Sequence, residues 1–130
     1  VGIGDVFRVG GAVVQVSQPR QPCWKLARRW KIKTLTLTVQ ESGRTGWYFR
    51  VLSQGLVAAG DAVERIERPH PGWTIAEANR IMHRDKADRD AAAALAALPA
   101  LSASWKATLE NRIRKGVEPD PARRLEGAGP

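Results

Sequence analysis

The chain has 130 residues, 43% apolar and 26% charged, with a formal net charge of +8 and a pI near 10.6. That length holds one domain, or a domain with a small appendage, and no apolar run approaches the roughly 18 residues of a membrane-spanning helix. The single cysteine, Cys23, excludes an internal disulfide and a four-ligand structural zinc site, and it suits a reducing, cytoplasmic compartment.

Taken in order, Asp5 to Val9 and Ala12 to Val16 are apolar, valine-rich segments joined by Gly10-Gly11, which predicts a β-hairpin with a two-residue loop. Ser17 to Cys23 is a loop, because Pro19 and Pro22 exclude regular pairing. Trp24 to Trp30 is expected to be a short helix with Trp24, Leu26, Ala27 and Trp30 on an apolar side and Lys25, Arg28 and Arg29 in water. Between residues 33 and 42, Leu35, Leu37 and Val39 alternate with threonines, and local propensity favours a strand. Gly43 to Gly46 breaks the pattern. Trp47 to Leu52 and Ala62 to Ile66 read as strands, with Trp47 and Phe49 expected in the core and Gly55 and Gly60-Asp61 punctuating the connection.

The composition changes at Pro69-His70-Pro71-Gly72. Thr74 followed by Glu77 is a capping box that opens a helix to about Arg84. A second, alanine-rich helix is predicted over 85–98, stopped by Pro99. A third runs over 102–115, with Trp105, Leu109 and Ile113 at helical spacing and Gly116 as its stop. Trp73 and Trp105 are expected to pack these helices, and His83 to lie exposed on the first. The remaining tail, rich in Pro, Gly and charge, is expected to pack loosely. Strands followed by helices make the fold α+β.

Cys23 is the residue with chemistry. Arg20 and Lys25 flank it, and a helix beginning near Trp24 would direct its N-terminus at the sulfur; both favour thiolate over thiol. A thiolate is a soft ligand for molybdenum, copper, zinc or iron. His70 and His83 do not stand at metal-ligand spacing from it, so a metal would have to arrive already ligated. Against this stands the possibility that Cys23 is a small buried hydrophobe.

Three stretches resemble a known family. Ser17-Gln18-Pro19-Arg20-Gln21-Pro22-Cys23-Trp24-Lys25-Leu26 resembles the cysteine motif of MOSC domains, named after the C-terminal domain of molybdenum cofactor sulfurases. Gly43-Arg44-Thr45-Gly46-Trp47-Tyr48-Phe49-Arg50-Val51-Leu52 is similar to that family's second motif. Arg68-Pro69-His70-Pro71-Gly72-Trp73-Thr74-Ile75, with Leu98-Pro99-Ala100-Leu101-Ser102 and Ser104-Trp105, resembles the three-helix extension of the YiiM-like branch. The resemblance implies a partial β-barrel-like domain over 1–68, a three-helix appendage over 69–116 and a tail over 117–130. It implies the molybdenum cofactor in its molybdopterin form, with Cys23 as catalytic residue and metal ligand. Arg20, Lys25, Gly43, Arg44, Gly46 and Arg50 are the implied cofactor-binding residues, guanidinium forks suiting a pterin phosphate. The implied activity is reduction of N-hydroxylated compounds, with electrons from a separate flavin or iron–sulfur protein. The basic cluster Lys25, Arg28, Arg29, Lys31 and Lys33 reads most simply as a solvated face, and its functional reading is a dock for an acidic electron donor of that kind. It also implies a helix over 33–42, against local propensity.

The family domain has several strands before the position where this chain starts. Val1-Gly2-Ile3-Gly4 reads like the interior of a protein, and Met82 is the only methionine, so the chain is expected to be a fragment or a shortened form. Open sheet edges would then invite a homodimer and leave the cofactor pocket incomplete. Two other readings stand beside the oxidoreductase. One is a sulfur or cofactor carrier that uses Cys23 without turnover. The other is a basic nucleic-acid-binding module, which no recognition-helix or stacking-aromatic pattern supports. No lysine sits in a recognisable Schiff-base pattern for pyridoxal phosphate.

Overall fold

The computed structural model describes residues 1–115 and 121–127. In chain order the elements are β1 (Val6–Val9), β2 (Ala12–Pro19), α1 (Trp24–Trp30), α2 (Leu35–Ser42), β3 (Trp47–Ser53), β4 (Val63–Glu67), α3 (Ile75–Asn79), α4 (Arg89–Ala96), α5 (Ala103–Lys115) and α6 (Ala122–Glu126). The fold is α+β. All four strands join one antiparallel sheet in the order β3-β2-β1-β4. The hairpin closes where Val9 faces Ala12, around the Gly10-Gly11 loop. Gly10 has φ 54°, and a Cβ there would lie 2.4 Å from Asp61 Oδ2, so both conformation and space require glycine.

Within the alternating segment 33–42, Leu35–Ser42 is the helix α2, as the family resemblance implies and not the strand its propensity favours. Its burial follows a helical repeat: Leu35, Thr36, Val39 and Gln40 turn inward while Leu37 and Thr38 face water. Tertiary contacts thus override the β-branched composition. Gly43 ends the helix in the left-handed conformation at φ 71°.

The helices that follow β4 share one core with the start of the chain. Ile3 and Val16 are fully buried in the same cluster as Ile81, Leu95, Trp105 and Leu109. Thr74 Oγ1 accepts the Glu77 N–H at 3.1 Å and starts α3 as expected. From Arg80 to Arg84 that helix widens into a π turn. Freed carbonyls need donors there. The Arg112 guanidinium, 3% exposed, donates to the Ile81 and Met82 oxygens at 2.8 Å each. The second helix begins at Arg89 rather than Asp85, because the Asp88 carboxylate caps it by accepting the Ala91 N–H at 3.0 Å.

Several sequence expectations change. Trp30 is 61% exposed rather than on a buried side, and Trp47 and Phe49 are exposed rather than core. β3 is an outer strand whose apolar residues are exposed; the Phe49 ring meets Phe7 and Trp47 edge-on. His83 is half-buried against Trp105 instead of exposed. Part of the tail is ordered: α6 packs on α1, with Gly127 against the Trp24 indole. Gly116 and the rest of the tail, 117–120 and 128–130, lie outside the described residues.

Asp5 ties the two layers together. It is completely buried, and its carboxylate accepts the Gly2 N–H at 2.9 Å and two bonds from Arg68, at 3.1 Å from Nε and 2.8 Å from Nη2. Burial pushes its pKa up, but Arg68 and the Gly2 amide outweigh it and hold the carboxyl below the usual value. A depressed carboxylate contributes stability above its unfolded pKa and loses it as pH falls through the folded value. Asp5→Ala is therefore expected to cost about 2–4 kcal/mol in urea unfolding at pH 7. The difference from wild type should shrink once the pH drops below about 4. Arg112→Ala should cost a similar 2–4 kcal/mol, with amide exchange rising first in residues 80–84.

Candidate functional site

The cysteine loop is held by its prolines and its backbone. Pro19 and Pro22 are fully buried, and the Arg20 N–H donates to the Gly46 carbonyl at 2.9 Å, joining this loop to the loop between α2 and β3. Cys23 is a partly buried free thiol at the N-cap position of α1. Its carbonyl accepts the Leu26 N–H at 3.1 Å and the Thr36 hydroxyl at 2.9 Å. Thr36 Oγ1 in turn accepts the Ala27 N–H at 3.3 Å. One buried hydroxyl therefore locks α2 onto the first turn of α1 and sets the backbone that carries the sulfur.

The second motif packs beside it. Gly43 and Gly46 both have positive φ, and a Cβ at either would meet nothing within 4 Å. Backbone conformation, not close approach, is what requires glycine there. Thr45 is buried, and its hydroxyl donates to the Gly46 carbonyl at 3.0 Å. Asn79, on α3, donates to the Gly43 carbonyl and to Thr45 Oγ1, each at 3.2 Å. The helical layer thus braces the motif from behind. Gln40, Gly43, Arg44, Asn79 and His83 also line a cavity of about 370 Å³.

Of the residues that the sequence singled out, the fold brings the Arg20–Cys23 and Gly43–Gly46 loops together, with Lys25 and Arg44 exposed around them. Arg50 stands apart: its Nη1 donates to Gln15 Oε1 at 3.2 Å, about 10 Å along β3 from the end that meets the cysteine loop. Three residues at the site escaped the sequence reading. Thr36 looked like part of a strand, Asn79 like an ordinary helical residue, and Arg124 lay in the tail. Arg124 Nη1 donates to the Pro22 carbonyl at 2.8 Å, one residue before the thiol. A second cavity, of about 770 Å³, opens between α1 and α6, lined by Trp24, Arg28, Lys31, Lys33 and Glu126.

No group of three or more His, Cys, Asp or Glu among the described residues could hold a metal ion. A metal at Cys23 would have one protein thiolate and its other ligands from elsewhere. This donor set is compatible with a cofactor that brings its own sulfur ligands; Arg20 lies on the cysteine loop and Arg44 on the glycine loop bonded to it.

A partly buried thiol in a proline-bounded loop, between a sheet and a helical layer, defines a cysteine-centred α+β domain. The MOSC domain model matches residues 1–64 and the YiiM-like, 3-alpha helix domain model residues 73–116; the chain belongs to the MOSC family, in its YiiM-like branch. It is 48% identical over 108 residues to the uncharacterized protein YflK of Bacillus subtilis, covering 83% of this chain and 49% of YflK. It is 37% identical over 127 residues to protein YiiM of Escherichia coli, covering 98% and 56%. The crystal structure of YiiM from Escherichia coli superposes with a TM-score of 0.91 at 37% identity, over 96% of this chain and 62% of that one. A protein named "Reductase" from Gibberella moniliformis is 39% identical over 83 residues, covering 63% of this chain and 15% of that protein. The chain thus spans about half the length of the first two relatives. No helix among the described residues is long and apolar enough to cross a membrane.

Thr36→Val keeps the shape of the side chain but removes the hydroxyl that joins α1 to α2. It is expected to cost about 1–2 kcal/mol in urea unfolding. Hydrogen exchange should quicken at the Ala27 amide before it changes in the sheet.

Proposed function

We propose that this chain carries the cysteine of a molybdenum-cofactor oxidoreductase that reduces N-hydroxylated compounds. The observation that carries the reading is the placement of Cys23. It is a free thiol in the loop where the two MOSC motifs meet backbone to backbone, with Arg20 and Lys25 on either side of it in the chain and no alternative metal cluster among the described residues. The name "Reductase" borne by one relative agrees with redox chemistry.

Each residue then has a task. Cys23 would ligate the metal through Sγ, its backbone kept still by Thr36. Arg20, Lys25 and Arg44 would hold the anionic part of the cofactor, with Arg44 on the Gly43–Gly46 loop that Asn79 braces. When bound, the cofactor supplies two-electron chemistry: the N–OH group takes up two electrons and two protons and leaves as N–H and water. The electrons come from an acidic flavin or iron–sulfur protein. Lys25, Arg28, Arg29, Lys31 and Lys33 are all exposed on and after α1, and they offer that partner a positive face that speeds encounter. The setting is cytoplasmic, where the thiol stays reduced.

Metal analysis of the full-length protein tests this. Wild type should co-purify with molybdenum and pterin, and Cys23→Ala should lose most of the metal and all detectable reduction of an N-hydroxylated base. Equal molybdenum and activity in the two proteins would remove Cys23 from the metal. A persulfide on Cys23 in the absence of reductase activity would move the assignment to a sulfur carrier.

A further inference from the structure

The tail residue Arg124 reaches the cysteine loop from 102 positions further along the chain. Its guanidinium sits on the Pro22 carbonyl at 2.8 Å, and α6 is seated on α1 with Gly127 against the Trp24 ring, where a Cβ would come within 3.2 Å. This is a built contact and not a chance approach of a surface side chain: Gly127 has φ 88°, so conformation and space both suit glycine. We infer that Arg124 is a positioning residue for Cys23, fixing the loop through the Pro22 carbonyl and placing a positive charge one residue from the thiol, where it favours anionic reaction partners. The inference rests on the reading of Cys23 as the reacting atom.

Two further observations agree with it. Burial pushes the Arg124 pKa below the usual guanidinium value, while its charge interaction with Cys23 pulls the other way. A guanidinium stays charged under such burial. The cavity between α1 and α6 carries Arg28, Lys31 and Lys33 against the one carboxylate of Glu126, so the approach beside α1 is positive as well. The ligand class is an anion: a phosphate-bearing or oxyanionic group brought up to the sulfur.

The test needs no bound metal. Cys23 in the full-length protein is alkylated in parallel with iodoacetate, an anion, and iodoacetamide, its neutral counterpart, and the Cys23 peptide is followed by mass spectrometry. In both reactions the sulfur displaces iodide and the thiol proton passes to solvent. The ratio of the two rates therefore cancels the fraction of thiolate and reports only the charge seen by the reagent. Arg124→Gln keeps a donor for the Pro22 carbonyl but removes the charge; it should lower the iodoacetate-to-iodoacetamide ratio about fivefold. Arg124→Lys should stay within about twofold of wild type. Arg124→Met gives the same reading if the glutamine variant is unstable. An unchanged ratio in the neutral variants, or an equal fall in Arg124→Lys, overturns the inference. A protein without molybdenum that still shows the charge-dependent ratio would sink the cofactor reading and leave this one standing.

Discussion

The buried carboxylate of Asp5 is the constraint around which the molecule is arranged. A fully buried anion is costly unless several donors meet it, and here one is its neighbour Gly2 and the other is Arg68, 63 positions on and just after β4. Meeting that demand pins the first residues against the turn before α3. The Ile3 N–H reaches the Trp73 carbonyl at 2.8 Å, and the Ile75 N–H reaches the Val1 carbonyl at 3.0 Å. The Val16 N–H donates to the Asp5 carbonyl at 2.9 Å, which brings β2 into the same knot. Sheet and helices are consequently not separate bodies hung on a linker; they meet over Ile3 and Val16 in one core.

That coupling explains why the cysteine loop is well placed although most of its residues are polar. β2 runs through Ser17 and Gln18, expected as loop, to a buried Pro19 that pairs with Trp47 despite its missing N–H, and Pro22 is buried beyond it, so the loop leaves the sheet in one direction. Thr36 then fixes the start of α1, and Asn79 fixes the neighbouring glycine loop from the helical side. The same interior that stabilises the fold therefore supports the site, and a loss at Asp5 should reach Cys23 through β2. The exposed Trp47, Phe49 and Val51 lie on the outer strand β3, whose first residue, Trp47, pairs with Pro19 beside the cysteine loop. Their exposure shows that the apolar periodicity of a strand reports pairing and not which face is covered.

The basic surface divides by role. Arg68, Arg80 and Arg112 satisfy carboxylates or carbonyls and belong to the architecture. Arg28, Lys31 and Lys33 line an open cavity, and Arg124 leans on the cysteine loop. Net charge alone could not have separated these groups, because a guanidinium that closes a π turn and one that greets an anion have the same formal charge.

Sequence pattern by itself determined the hairpin around Gly10-Gly11, the helix from Trp24 to Trp30, the cap at Thr74, the β3 strand and Cys23 as the one thiol, since each depends on near neighbours in the chain. The family motifs were legible for the same reason: each is a continuous run. Tertiary structure decided the rest. Local propensity misreads segment 33–42, which only the family resemblance marked as a helix, because the Thr36 bond to the Cys23 carbonyl spans thirteen positions that local propensity does not see. Asn79 lies 36 positions from the glycine loop it braces, and Arg124 lies 102 positions from Pro22. Side chains that act across such distances leave no spacing signature, because only the folded backbone sets the distance between them.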